Sequence, residues 1–390
     1  MNRTFIPILI AVIAITLFTA NIALAEEKSV DKVVLLDGSV VSGKIISENW
    51  EKIVCGSRTV ETIKVAHITY YDTPPDYIEA VDLIEREQYD NASFKLKLAL
   101  DQPGVRDWIK MGVAMQLADI AWRMAKWEDA RKQYRDFISK NADSRFVREA
   151  TWRIAQSLLN EKDYQNAEGA FDNIFKDNRF ANEPIHWRAK FWEIYTLEVR
   201  DKYQDAYSQY LDTKNKVFNS LSQAAKDAFF FDRNPLPEDR EMIQLHIECT
   251  FRGLLNQALS GKIDEAFDEF DKLAKKPTKS LSSIGSIGIA ICDVIKISNM
   301  AEIDEKAVLM LSKARLSLAK NLIYTASTDD RRADIFYWSG RAALLADDIM
   351  SAKVYFSMVT GRLNNTLVAR LCEEELAKLQ SGKDAKPVEE

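Results

Sequence analysis

The sequence predicts a mainly α protein, an α-α superhelix of paired helices that follows a small five-stranded β-barrel. Two observations support this fold class. An alanine flanked by apolar or aromatic residues at positions −3 and +4 recurs six times after residue 76. Between Val33 and Tyr71, short β-branched runs alternate instead with polar residues and glycine. Hydrophobic residues make up 47% of the 390 and charged residues 29%, which is enough to fill a sizeable core.

The first 25 residues have the layout of a secretory signal peptide. One cation, Arg3, precedes an apolar stretch from Phe5 to Phe18, and small residues end at Ala25. We predict cleavage after Ala25 and a periplasmic or otherwise exported protein. An uncleaved anchor is the alternative, although the stretch is short for a membrane span. We expect no later stretch long and apolar enough to cross a bilayer.

Residues 30–73 predict a separate β module. Asp37-Gly38 lies between two β-branched runs and indicates a hairpin, because glycine adopts positive φ in the turn. Three more short runs follow, which makes five predicted strands. Five short strands are too few for a sandwich but can roll into a small barrel that removes most free edges.

The run "LLDGSVVSGKI" resembles the SH3-like and Sm-like barrels that precede helical repeats in some exported bacterial proteins. Sm-like barrels in the cytoplasm often bind RNA, but acidic residues outnumber basic ones in this module. The net charge of the whole chain, −6, also argues against a nucleic-acid partner. A structural module that docks on the first helices or mediates assembly remains open, and the ligand of the module stays unassigned.

From residue 76 to 231 the pattern predicts stacked helix pairs. The first four motif alanines lie 38, 37 and 39 residues apart, and a steady period in this range is typical of helical repeats. Positions −3, 0 and +4 share one helix face, and alanine at the centre lets a partner helix approach closely. The motif therefore predicts packing seams rather than binding residues. Its six copies are Tyr89-Ala92-Leu96, Trp127-Ala130-Tyr134, Tyr164-Ala167-Phe171, Tyr203-Ala206-Tyr210, Ile263-Ala266-Phe270 and Ile349-Ala352-Phe356.

This pattern resembles the tetratricopeptide (TPR) repeat family, which places a small residue in the first helix and an alanine-aromatic seam in the second. The family's offsets are matched best by Phe336, Gly340, Ala352 and Phe356. Ala118 and Ala155 replace the glycine in two other units, and the period exceeds the usual 34 residues. The resemblance implies TPR-like helix pairs whose first helices line a concave binding surface for a protein or peptide.

The array is interrupted after Ala206. Pro235 and Pro237 predict a proline-containing linker at residues 232–240, preceded by an extra helix. A second set of TPR-like helical repeats is predicted at 241–379, and a disordered tail at 380–390. One unit in this set is degenerate, with Ile303 and Met310 flanking Lys306 where alanine is expected. The small-residue segment 276–288 is a linker or a close helix contact, and it lacks a phosphate-loop pattern.

No catalytic, cofactor or metal motif stands out. The three histidines are scattered, and we find no nucleophile elbow, zinc motif or glycine-rich nucleotide loop. The four cysteines form no C-x-x-C pair, so we expect apolar fillers, with oxidation in an exported protein as the alternative. We therefore predict a protein that is not an enzyme, with no cofactor, no metal and no small-molecule substrate.

The predicted function is a non-catalytic exported protein-protein interaction scaffold in an envelope-associated complex. The alternative is a glycan- or peptidoglycan-binding envelope protein that uses exposed tryptophans and tyrosines. Partner identity, oligomeric state and biological process are not predicted. The TPR resemblance implies partner-binding residues on the first helices at Met115, Asp119, Trp152, Gln156, Asn160, Arg188, Tyr195, Tyr337 and Arg341.

Overall fold

A computed structural model describes residues 30–181, 183–324, 328–364 and 366–381. The predicted signal peptide and residues 382–390 of the predicted tail lie outside these ranges. The chain divides into two units, Met1–Thr196 with Leu236–Glu238 and Leu197–Pro235 with Asp239–Glu390, and each is described by itself. This division falls at Thr196, before the proline-containing segment 232–240 that the sequence marks as a linker.

The β module contains two antiparallel three-stranded sheets. One has the strand order β2-β1-β6 and the other β3-β4-β5. Gly38, with φ of +84°, forms the predicted turn between the first two strands. The strands are β1 Asp31–Leu35, β2 Val40–Gly43, β3 Ile45–Glu48, β4 Lys52–Cys55, β5 Arg58–Glu61 and β6 Val65–Thr69.

The module differs from the predicted five-stranded barrel in strand count and closure. One predicted run divides at Lys44 into β2 and β3, which raises the count from five to six, and the 3₁₀ turn Thr62–Lys64 ends β5 so that Val65 belongs to the last strand. Gly43 lies at the division into β2 and β3, where an added Cβ would be 3.1 Å from the Gly56 backbone nitrogen. This close approach puts the chain into a second sheet, and no strand ladder in the described residues joins the two sheets into a closed barrel.

The β module docks on the helices of the first unit. Asp31 is fully buried and accepts hydrogen bonds from the Arg106 guanidinium and from the backbone N–H of Ile45. Burial alone would raise the pKa of Asp31, but these bonds hold it below the usual value. The Tyr70 ring also stacks on Trp108 at 3.5 Å between centroids. Of the roles left open above, docking on the first helices is the one observed.

Sixteen helices lie in the described residues. The last two residues of α7 belong to the second unit, and α9 is the predicted extra helix. The helices are α1 Pro75–Glu85, α2 Tyr89–Leu100, α3 Asp107–Arg123, α4 Trp127–Lys140, α5 Val147–Asn160, α6 Tyr164–Lys176, α7 Pro184–Glu198, α8 Tyr203–Ser220, α9 Gln223–Phe230, α10 Pro237–Leu259, α11 Ile263–Ala274, α12 Lys279–Ser298, α13 Glu305–Tyr324, α14 Asp329–Leu345, α15 Ile349–Arg362 and α16 Ala369–Gln380.

The predicted packing seams are confirmed. All six motif alanines and the six residues four positions later are fully buried, and each of these helices begins at the −3 residue. A small residue on the first helix faces the seam. At Gly340, an added Cβ would lie 2.4 Å from Cε1 of Phe356, so only glycine fits there without a shift of the aromatic ring.

The turns before these six helices share one backbone conformation. The residue two positions before the helix start has positive φ, and its backbone N–H and that of the next residue close the preceding helix with a Schellman-type pair of hydrogen bonds. Lys126 N–H, for example, donates to the Ala121 carbonyl at 3.0 Å, and Ala125 N–H to Trp122 at 3.0 Å. Glycine occupies one position and other residues five, the set being Glu87, Ala125, Lys162, Asp201, Gly261 and Asp347.

In the second unit, one sequence prediction needs correction and one open alternative is decided. The degenerate unit was aligned one residue too early, because Ala307 and Leu311 are buried whereas Lys306 is exposed. From Lys279 onward the small-residue segment is part of helix α12, where an added Cβ at Gly288 would lie 2.2 Å from the Phe270 ring. It is therefore a close helix contact and not a linker.

The expectation that no later stretch has the length and composition of a membrane span is wrong for α12. Lys279–Ser298 passes that test by length and apolar content. Most of the helix is buried within the second unit, where Ile287, Ile291 and Val294 belong to the core. Its apolar content is that of a core helix.

Candidate functional site

Two surfaces on first helices carry polar and aromatic groups suited to binding. The first, in the first unit, is the Arg–Trp face of α3, α5 and α7. The Arg153 guanidinium lies 4.4 Å from the Trp122 ring centroid, and the Arg188 guanidinium lies 4.2 Å from that of Trp152. Trp192 meets Trp152 edge to face at 6.3 Å. Each arginine therefore bridges to the tryptophan of the preceding first helix by a cation–π contact.

Polar groups surround this face. Asp119 accepts a hydrogen bond from the Tyr134 hydroxyl, and its carboxylate lies 4.0 Å from Arg153 Nε. Burial raises the pKa of Asp119, against the lowering effects of Tyr134 and Arg153. Gln156 Oε1 accepts from Arg153 Nη1 at 3.2 Å. The groups already bond to one another, so a ligand would meet a preformed polar surface.

The first unit brings together five of the predicted partner-binding residues. Asp119, Gln156 and Arg188 are partly exposed on the Arg–Trp face, whereas Trp152 and Tyr195 are buried at its base. Two predicted residues lie apart from the face. Met115 is buried in the packing between α3 and α4, and Asn160 is exposed at the end of α5.

The predicted residues of the second unit lie near its C-terminal helices. Tyr337 is buried, with its ring 6.0 Å from that of Phe356, so it belongs to the core. Arg341 is partly exposed and lies 3.6 Å from the Glu375 carboxylate. Arg341 also lines a cavity of 270 Å³ together with Asp347 and Lys378.

The second surface is a polar cavity of 540 Å³ in the second unit, here called the serine pocket. Residues from the first helices α10, α12 and α14 form most of its wall. Hydroxyl, amide, guanidinium and carboxylate groups all face the cavity. The polar residues of the wall are Asp232, Arg233, Gln244, Glu248, Lys279, Ser280, Ser282, Ser283, Ser286, Asn321, Thr328 and Arg331.

A buried ionic chain fixes one wall of the serine pocket. Arg331 Nη2 donates to both Glu248 oxygens at 3.1 Å, and its Nη1 lies 3.3 Å from Asp334. Asp334 in turn accepts from Arg252 at 2.7 Å, and Arg252 reaches Glu198 at 3.1 Å. Burial raises the pKa of Asp334 to about 6, while the two arginines act in the opposite direction. This chain of partners holds Arg331 in a single orientation at the wall.

Other polar groups of the pocket have spare hydrogen-bonding capacity. In the described part of the chain, Arg233 and Lys279 form no ion pair, and the Ser283 hydroxyl forms no hydrogen bond, although Ser283 is 9% exposed. Asp232 already accepts from the Lys279 backbone N–H at 3.0 Å. The Asp232 carboxylate therefore already caps the N-terminus of α12. A ligand would bind to the side chains of the pocket instead of to the backbone N–H groups of this helix.

The serine pocket was not predicted from the sequence. Its one local signal is the spacing of Ser280, Ser283 and Ser286, which places three hydroxyls on one face of α12. Gly285 and Gly288 lie on the other face and contact α11. The pocket also needs residues from α10 and α14, which periodicity within α12 does not bring together.

The tryptophans do not form the exposed stacking surface that glycan binding would use. Trp108, Trp152 and Trp338 are buried, and the other five of the chain's eight are partly buried. Tyr71 is the exposed tyrosine among those whose burial is described, at 45%. The premise of the glycan-binding alternative is therefore not observed in the described residues.

The four cysteines behave as the apolar fillers expected from the sequence. All are buried and unpaired. Burial raises the pKa of Cys292 and of Cys372 to about 12, which keeps both thiols protonated at neutral pH. Among the described residues, no group of three histidine, cysteine or acidic side chains is arranged to hold a metal ion.

Comparison with known proteins gives distant helical-repeat structures. No family model and no curated protein matches the chain. A tetratricopeptide repeat protein from Parabacteroides merdae ATCC 43184 aligns over 79% of this chain and 100% of its own, at 14% identity and a TM-score of 0.46. The TPR domain of P58(IPK) aligns over 81% and 100%, at 10% identity and a TM-score of 0.27. Because both TM-scores are below 0.5, the fold is described here from the helices and packing seams of this chain alone.

Proposed function

We propose that this protein is a non-catalytic interaction scaffold that binds a protein or peptide segment on the first-helix surfaces of its repeats. The serine pocket is the observation that carries the proposal. Its volume lies in the range of specific ligand sites, and its walls offer donors and acceptors for a polypeptide backbone. The Arg–Trp face adds aromatic and guanidinium groups of the kind enriched at protein interfaces.

The pocket chemistry favours an extended segment that supplies its own hydrogen-bonding groups. Gln244, Ser283 and Arg233 reach the cavity from three different elements, so a bound backbone would meet partners along its length. Burial of unmatched polar groups is costly, and a partner that satisfies them is selected over one that does not. This requirement gives the site specificity without catalytic groups.

We place the scaffold outside the cytoplasm, in an envelope-associated complex. Support comes from the signal-peptide layout of residues 1–25, which lie outside the described residues. Cell fractionation tests the location, together with N-terminal sequencing of the isolated protein. We expect an exported chain that begins at Glu26. A cytoplasmic chain that retains Met1 would contradict this part of the proposal.

Affinity isolation with quantitative mass spectrometry tests partner binding. The tagged full chain is compared with an Arg233→Ala/Gln244→Ala variant, which removes a guanidinium and an amide from the pocket. The matched control is Glu269→Ala/Lys272→Ala on α11, which removes an exposed ion pair from a second helix. We expect one or more partners to be depleted at least tenfold in the pocket variant alone.

Two results would count against the proposal. Equal recovery of all partners with the pocket variant and the control would mean that partner binding does not use the serine pocket. Absence of any enriched protein, together with turnover of a small molecule by the isolated chain, would favour an enzyme. Both variants change exposed or partly exposed side chains, so circular dichroism should be unchanged and serves as the folding control.

A further inference from the structure

Helix α13 exposes an apolar stripe that the fold does not use. Leu309, Leu316 and Ile323 are 57%, 56% and 72% exposed. They lie seven residues apart, which places them nearly in line along one side of the helix. The opposite side packs into the second unit through Ala307, Leu311, Ala314 and Leu318, all buried.

A line of lysines runs beside this stripe. Lys306, Lys313 and Lys320 are also seven residues apart and exposed, and in the described part of the chain their ammonium groups form no ion pair. The acidic residue of α13 is Glu305, in the first turn. Two exposed acids, Glu302 and Asp304, precede the helix, so the rest of its length presents positive charge only.

The neighbouring second helix extends the same surface. Arg315 of α13 bonds to Asp348, the N-cap of α15, at 3.1 Å. Helix α15 then exposes Met350 by 74% and Val354 by 58%, and its sequence contains no acidic residue. Apolar side chains of two adjacent helices, with lysines along one edge, therefore form an outward surface distinct from the serine pocket.

We propose that this surface of α13 and α15 binds an anionic lipid bilayer. A helix with an apolar stripe and a basic flank lies in the plane of the interface, with the stripe at the boundary between headgroups and acyl chains. The three lysines would contact anionic headgroups, each strengthening binding severalfold. Charge complementarity selects this occupant, because a purely apolar partner would leave the lysine line without a counterion.

The proposal concerns peripheral binding only. The apolar helix α12 stays in the core. Asn321 of α13 lines the serine pocket, but none of the stripe residues or lysines proposed to contact lipid does. Membrane contact and partner binding are therefore separable by mutation. Loss of one without the other is expected for variants of each site.

Vesicle co-sedimentation tests the proposal. The protein is used as isolated from producing cells and mixed with phosphatidylcholine vesicles or with vesicles containing one third phosphatidylglycerol. We expect binding to the anionic vesicles, weaker binding in high salt because the lysine contribution is screened, and little binding to phosphatidylcholine alone. Equal binding to the two kinds of vesicle, or binding to neither, would overturn the proposal.

Three variants locate the contact. Lys306→Gln/Lys313→Gln/Lys320→Gln should weaken anionic-vesicle binding on the order of a hundredfold. Leu309→Gln/Leu316→Gln/Ile323→Gln should weaken binding by a similar factor, because three apolar side chains that would enter the bilayer are replaced by polar ones. The matched control, Lys126→Gln/Lys132→Gln/Lys140→Gln, changes three exposed lysines near and on α4 and should bind as the unchanged protein does.

The variants also exclude other occupants. Vesicle binding that all three variants retain would come from another segment, including the N-terminal apolar stretch, and would overturn the proposal. Analytical ultracentrifugation without lipid tests a second copy of the chain. A dimer that the leucine variant abolishes, with no vesicle binding by the unchanged protein, would assign the surface to self-association instead.

Discussion

At the residue scale, His246 makes the stability of the second unit depend on pH. Its Nδ1 lies 3.1 Å from the Lys214 carbonyl oxygen, so this nitrogen carries the proton of the neutral ring. The rings of Phe218 and Phe229 lie 5.0 and 5.4 Å away. Burial lowers the pKa of His246 to about 4, with the Lys214 charge acting in the same direction. The folded state therefore excludes a proton that the unfolded chain accepts near pH 6.5.

Stability should fall as pH falls from 7 to 5. A depressed histidine pKa gives stability that is full above the unfolded value and is lost through the window from 6.5 down to about 4. We expect a loss of about 2 kcal/mol from this residue at pH 5. His246→Asn keeps a donor near Nδ1 and removes the titration. Urea unfolding at both pH values checks this; an equal pH dependence in the variant would assign the effect to other groups.

Ala130 tests the packing seam at the same scale. It is fully buried between α3 and α4, and its small size permits the close approach of the two helices. Ala130→Leu should destabilise the protein by about 1–3 kcal/mol through overpacking. Lys132→Leu, at an exposed position on the same helix, is the control. Thermal unfolding measures both, and an unchanged melting temperature for Ala130→Leu would refute the seam.

At the element scale, the helix-connecting turns hold strain that glycine would relieve. Ala125 has φ of +56°, a conformation that costs an alanine about 1–2 kcal/mol. Ala125→Gly should stabilise the protein by about 0.5–1 kcal/mol after the extra chain entropy of glycine is subtracted. Lys132→Gly, in the middle of α4, should destabilise by about 1 kcal/mol. A lower melting temperature for Ala125→Gly would contradict the turn geometry.

The elements also show what local sequence can and cannot predict. The alanine-aromatic motif predicted the packed face of six second helices, because its three positions lie on one side of a helix; the structure adds that each helix begins at the −3 residue. The strand division at Gly43 was missed because it depends on the close approach of the Gly43 and Gly56 backbones, which are not neighbours in sequence. The motif in α13 was centred on Lys306, one residue before Ala307, because the apolar residues Ile303 and Met310 also fit the −3 and +4 positions around Lys306. The serine pocket was missed because three separated helices form it.

At the scale of the whole molecule, the β module and the first helices should form one cooperative structure. Asp31 is fully buried, and its ion pair with Arg106 joins β1 to the start of α3. Asp31→Asn removes a negative charge that compensates the Arg106 guanidinium, and it should lower the free energy of unfolding by about 3 kcal/mol. Denaturant unfolding measures the loss, with Asp129→Asn as an exposed control. Loss of β-module structure alone, with the helices at full stability, would contradict a common folding unit.

The central claim is that the first-helix surfaces bind a protein partner. Site-specific photo-crosslinking in producing cells tests it most directly, with the crosslinker at Gln244 or Gln156 on first helices and at Asp129 or Asp268 on second helices. All four side chains are exposed or partly exposed. We expect crosslinks to a shared partner from the first-helix positions and none to that partner from the second-helix positions. Crosslinks to the same partner from the second-helix positions alone would contradict the account.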